Sequence, residues 1–128
     1  MRYLLLCGMV LSLAACGVKP PIEGRANPYP IAQINFASED LRQKTAIDPV
    51  IMARKNGILY VTVPIRSASD YDLHVDYQIT FLNAEGEPIY TGPWENGPVL
   101  VRNTWQHIQF HSPTGDAADF RMNLRYAE

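Results

Sequence analysis

Two stretches of strict alternation constrain this chain more than any other feature. Leu73, Val75, Tyr77, Ile79 and Phe81 are separated by His74, Asp76, Gln78 and Thr80; Phe120, Met122, Leu124 and Tyr126 are separated by Arg121, Asn123 and Arg125. Successive side chains of a strand point to opposite faces, so a period of two builds a strand with one apolar and one wet face. The second stretch closes the chain and ties its terminus into a sheet. An apolar sheet face must be covered by another layer, so the alternation already asks for a two-layered β structure.

The segments between carry turn chemistry at short intervals. Asn56-Gly57 accepts the positive φ values of a type I′ hairpin turn. The resulting register pairs Lys55 with Ile58 and Arg54 with Leu59. It puts Val50 and Met52 on the face of Leu59, Val61 and Val63, and leaves Ala53, Tyr60 and Thr62 on the other. Pro64 has no amide hydrogen, so an edge, bulge or break is predicted there. Asn83 to Pro88, with Gly86, turns the chain into a short strand at Ile89 and Tyr90, and a Gly/Pro-rich loop follows. Val99 to Val101 and Trp105 to Phe110 read as further strands, and Ser112 to Asp119 as a connection. Only Ser38 to Lys44 reads as helical, with Ser38 as its cap. Roughly six to eight short strands predict an all-β fold: an immunoglobulin-like antiparallel β-sandwich with one short helical turn.

The amino-terminal end has a different character. Arg2 is followed by an apolar run from Tyr3 to Leu13, too short to span a bilayer, and then by Leu13-Ala14-Ala15-Cys16. This resembles a bacterial lipobox. The resemblance implies cleavage before Cys16 and a covalent lipid on that residue; several acyl chains on one cysteine hold a protein to a membrane durably. Gly17, where lipoproteins kept in the inner membrane usually carry aspartate, points to the outer membrane and its periplasmic face. The organisation expected is a signal peptide over 1–15, a lipidated cysteine and Pro-rich tether over 16–30, and the sandwich over 31–128. From Gly17 to Pro30 the tether reaches at most roughly 40 Å at about 3.1 Å per residue.

Charge and cysteine content narrow the functions. Losing residues 1 to 15 removes one cation, Arg2, so the formal charge moves from −2 to about −3 with no basic cluster. Nucleic acid is not an expected partner. Of the two cysteines, Cys7 leaves with the signal and Cys16 carries the lipid, so the fold rests on packing without a disulfide. His107 and His111 would chelate on a helix, but on a strand they stand roughly 13 Å apart, too far for one ion. Asp70, Asp72 and Asp76 lack the glycine and terminal glutamate of a calcium loop and read as a solvated face. No metal, cofactor or catalytic set is predicted. Trp105 reads as a core residue. Trp94, between Pro93 and Glu95, reads either as a plug over one end of the sandwich or, with Tyr90, as a possible binding pair that stacks on a sugar or anchors a partner.

Asp48-Pro49, the Asn56-Gly57 hairpin, Tyr77 followed by Phe81, Asn83 to Gly86 and the closing run Ala118 to Arg125 together resemble the YcfL family of small lipoproteins. The resemblance covers most of residues 31 to 128 and the lipobox. It implies an immunoglobulin-like sandwich, an outer-membrane lipid anchor and no catalytic residues. The function expected is a periplasmic, non-enzymatic module that binds an envelope protein, with peptidoglycan or another carbohydrate as the alternative ligand.

Overall fold

The computed structural model describes residues 32–128. The expected signal peptide, Cys16 and the tether lie outside the described residues. Within them the chain forms β1 (Ile34–Phe36), α1 (Glu39–Gln43), β2 (Thr45–Ile47), β3 (Ile51–Lys55), β4 (Ile58–Ser67), β5 (Leu73–Leu82), β6 (Pro88–Thr91), β7 (Glu95–Leu100), β8 (Gln106–His111) and β9 (Asp119–Tyr126). No helix among the described residues is long and apolar enough to cross a membrane.

The strands make the predicted sandwich. One layer runs β1-β9-β5, with β6 and β7 sharing the far side of β5; the other has β4 at its centre, β8 on one side, and β2 and β3 end to end on the other. The chain crosses between layers from β1 to β2, from β4 to β5, from β7 to β8 and from β8 to β9, while β4 pairs with β8 and β5 with β9. That interlocking is the Greek-key pattern of immunoglobulin-like sandwiches. One pairing departs from the antiparallel rule: β1 lies parallel to β9, with Ile34 beside Met122 and Phe36 beside Leu124.

The alternating stretches supply the core. Leu73, Val75 and Phe81 of β5 share one face of their layer with Phe120, Met122 and Leu124 of the neighbouring β9, and Leu59, Val61, Val63 and Ile65 of β4 close over them; all are buried. The Asn56-Gly57 turn has φ values of 50° and 81°, and the pairs Lys55–Ile58 and Arg54–Leu59 follow as the register required. Ser38 caps α1 by accepting from the Leu41 amide at 3.2 Å, and Leu41, fully buried, pins that turn to the sandwich.

Several expectations are corrected. Pro64 does not break its strand: β4 runs on through Ser67. The Pro64 carbonyl accepts from the Asp48 amide at 3.1 Å, so the missing N–H points the same way, into the gap where β3 has ended and β2 has not begun. Met52 is 38% exposed although its partner Val61 is 1% exposed, because β3 is an edge strand; Gln33 Nε2, just before β1, reaches Met52 Sδ at 3.7 Å. The Gly/Pro-rich loop is partly strand: β7 starts at Glu95 and absorbs Gly97-Pro98 at a bulge between the His74–Val99 and Asp76–Asn96 pairs. A Cβ on Gly97 would lie 3.0 Å from the Val75 carbonyl oxygen, which is why glycine stands there.

Candidate functional site

The two aromatic residues singled out from the sequence are not brought together. Tyr90, on β6, pairs with inward-facing Phe81, its ring 6.5 Å away, and is 44% exposed. It lines a hollow of about 130 Å³ at the open edge between the layers with Tyr77, Phe81, Gly92, Glu95 and His111. The Tyr77 hydroxyl donates to Glu95 Oε2 at 2.9 Å; burial, reinforced by that carboxylate, pushes its pKa up to about 12.

Trp94 turns to the opposite face of the same layer. The Arg125 guanidinium lies 4.0 Å from its ring centroid, and Arg125 Nε donates to Asp76 Oδ2 at 3.4 Å. Trp94 is therefore half-buried with one face of its ring on a cation, so it is not a core plug, and only its other face is left for stacking. The same contact overturns the reading of Asp76 as solvated. That residue is only 5% exposed, and its Oδ1 has no hydrogen-bond partner, while Asp70 pairs with Arg102 at 3.3 Å and Asp72 stays exposed.

Trp105 is corrected as well. It is 38% exposed on the outer face of the β4 layer, stacked on Arg66 at 4.9 Å, because the connection from β7 delivers it outside rather than between the layers. Arg66 is the buried member of that pair, and its Nη1 donates to the Ser67 carbonyl at 3.0 Å.

The larger concavity lies on that outer face, where sequence reasoning placed Ala53, Tyr60 and Thr62 without assigning them a role. Ile51, Ala53 and Lys55 of β3, Tyr60 and Thr62 of β4, and Gln109 and His111 of β8 line a hollow of about 380 Å³, a size suited to a small ligand or a few side chains. The cross-strand register builds it: Ile51, Thr62 and Gln109 form one row, and Ala53, Tyr60 and His111 the next. The small Ala53 and Thr62 form the floor, while the Tyr60 and His111 rings, 5.4 Å apart, form one wall. Lys55 Nζ stands 5.6 Å from the Tyr60 ring. His111 Nδ1 lies 3.0 Å from the Ser112 carbonyl oxygen, to which it must donate, leaving Nε2 free to accept when the ring is neutral. The signal that identifies this site is the hairpin register followed one strand further, to β8.

Of the serines, Ser112 accepts from the Leu59 amide at 3.1 Å and donates to the Thr114 carbonyl at 2.7 Å, and Ser67 donates to the Tyr71 carbonyl at 2.8 Å; both hydroxyls brace loops. His107 and His111 lie on a strand, and among the described residues no three His, Cys, Asp or Glu side chains gather as metal ligands.

No family model and no curated protein matches the chain in sequence. Two solved structures share its fold. The protein cj0090 of Campylobacter jejuni superposes with a TM-score of 0.63 at 15% identity, over 74% of this chain and 98% of that one. A member of the DUF1425 family from Shewanella sp. superposes with a TM-score of 0.57 at 20% identity, over 66% of this chain and 79% of that one. At those identities the likeness is one of architecture, and the chain is similar to both proteins in the path of its sandwich.

Proposed function

We propose that this chain is an outer-membrane lipoprotein of YcfL type, anchored through Cys16 on the periplasmic face, whose sandwich is a non-catalytic module that binds another envelope protein. The observation that carries the reading is β3: an edge strand with one side unpaired, every residue exposed, Ile51 at 57%, and a hollow of about 380 Å³ beside it. Native sheets blunt such edges with charge, as Arg54 and Lys55 do at one end of β3, but Ile51 and Met52 leave its other end apolar and open, a candidate for strand addition. The lipobox supports the anchor. The resemblance of residues 31 to 128 and the shared architecture support the family.

Two measurements test the proposal. Replacing Cys16 with serine removes the thiol that would carry the lipid; the expected result is a shift of the protein from the outer-membrane fraction to the soluble periplasm, with loss of fatty-acid labelling. Unchanged fractionation and labelling overturn the anchor. A photo-crosslinking residue at Ile51 is expected to yield a discrete protein adduct in intact cells, and the same probe at Glu85, in the exposed turn after β5, is not. A blank at Ile51 removes the interaction reading. The carbohydrate alternative is weakened because Arg125 occupies one face of the Trp94 ring and Tyr90 lies on the other side of the layer. Tyr90 alone, beside its hollow of about 130 Å³, is a poorer platform for a sugar.

A further inference from the structure

We propose that the free edge of β3 and the hollow beside it receive an acidic, extended peptide segment of the partner protein. This rests on the interaction reading above and adds the chemistry of what is bound. The first ground is where charge sits. Strands β2, β3, β4 and β8 contain no Asp or Glu but carry Arg54, Lys55, Arg66, His107 and His111. The carboxylates found within strands all lie in the opposite layer: Asp76 in β5, Glu95 in β7 and Asp119 in β9. In a chain of formal charge −2, the strands of this layer carry three cations and no carboxylate, and Lys55 is the one that borders the hollow, with Asp48 and Asp116 confined to connections between strands.

The second ground is that neutral groups hold these cations. Arg54 donates to the Gly57 and Ala117 carbonyls at 2.9 and 2.7 Å, Lys55 stands over the Tyr60 ring, and Arg66 donates to the Ser67 carbonyl beneath Trp105. The ion pairs found among the described residues belong instead to Arg42, Lys44, Arg102 and Arg125. Lys55, which borders the hollow, is thus the cation available there to an incoming anion, while Arg54 lies on the reverse face of the strand with Leu59; a charge of this kind sets specificity and association rate.

The third ground is the edge itself. Lys55 and Ile58 flank a two-residue turn and so form a hydrogen-bonded pair. Alternation along the ladder then directs the peptide groups of Ile51, Ala53 and Lys55 to β4, and those of Met52 and Arg54 to the free side. An added strand pairs with Met52 and Arg54, and every second side chain of it reaches the face where Ile51 and Lys55 border the hollow. Exposed apolar Ile51 and cationic Lys55, two register positions from Ala53, ask for a segment that alternates apolar and acidic residues. A lipid surface satisfies the charge but leaves the row of edge donors and acceptors unpaired, which favours a peptide.

The test is fluorescence anisotropy of a labelled nonapeptide alternating Val and Glu, and of its Val/Lys counterpart, against the full lipidated chain in non-ionic detergent at low salt. The acidic peptide is expected to bind, more weakly as salt rises, and the basic one not to bind. Lys55→Glu, an exposed change that leaves folding intact, is expected to weaken the acidic peptide about fivefold, the scale of one exposed charge pair, and to admit the basic one. Met52→Pro, checked for an unchanged melting temperature, is expected to weaken binding by removing an edge N–H. Equal binding of both peptides, no binding of the acidic one, indifference to Lys55→Glu, or capture by phosphatidylglycerol vesicles in place of the peptide overturns the inference. Persistence of the Ile51 crosslink alongside any of these results keeps the protein-partner reading and rejects only the acidic class; loss of that crosslink rejects both.

Discussion

Arg125→Ala is expected to destabilise the sandwich by about 3 kcal/mol, read as a lower urea midpoint at unchanged slope. Asp76 has 8% of its side chain exposed and one oxygen already without a partner; its other oxygen depends on Arg125 Nε and on the Glu128 amide, both at 3.4 Å. Removing the guanidinium leaves a buried carboxylate with almost no compensation. The estimate sits at the low end for a broken buried pair because 26% of the Arg125 side chain meets solvent. Asp76→Asn in the same chain should restore most of the loss, since it removes the charge that has become costly. Rescue of this kind distinguishes a stranded charge from lost packing. Trp94→Ala is expected to cost less, about 1–2 kcal/mol, the value of a partly desolvated ring beneath a cation. If Arg125→Ala proves neutral, the triad of Trp94, Arg125 and Asp76 has no part in holding β9 to β5 and the loop before β7.

The larger loss is expected from Phe120→Ala, about 4 kcal/mol, and with it a fall in melting temperature of roughly 20 °C. Phe120 is fully buried and meets Phe110 edge-to-face at 5.3 Å; Phe110 in turn lies 5.9 Å from Phe81. The three rings join β9, β8 and β5, so they couple the two layers where the chain crosses from β8 to β9. Truncation opens a cavity that layers held on several sides cannot close. Phe120→Leu keeps most of the volume and should cost a fraction of that amount. A domain whose whole stability is of order 5–15 kcal/mol loses a large share of it through this one ring. A melting temperature unchanged in Phe120→Ala would contradict the packing described.

The layered architecture was legible wherever a local rule decided the outcome. Alternation placed β5 and β9, and the Asn56-Gly57 turn set the β3–β4 register residue by residue, because both depend on neighbours in sequence. The failures share a different cause. Asp76 follows the polar phase of its strand, yet it is buried because Arg125, 49 positions away, arrives opposite it on β9 under Trp94. Pro64 is tolerated because two separate strands leave a gap beside it, a matter of how β2 and β3 share one edge. Trp105 has the hydrophobicity of a core residue, but the β7–β8 connection decides which side of the layer it reaches. The hollow over Tyr60 was half visible: two of its strands follow from the hairpin, and the third, β8, joins through pairing across some fifty residues. No pattern within a short window carries that information.

The parallel contact between β1 and β9 bears on how the molecule carries load. Tension arriving at Ala32 from the preceding chain runs along β1, and a ladder pulled lengthwise must slip all its rungs together instead of opening one at a time. The strand it would slip against continues through the aromatic centre of the fold. If the chain is anchored through Cys16 as proposed, that load passes from β1 into β9, the strand that carries Phe120, Met122 and Leu124 into the core.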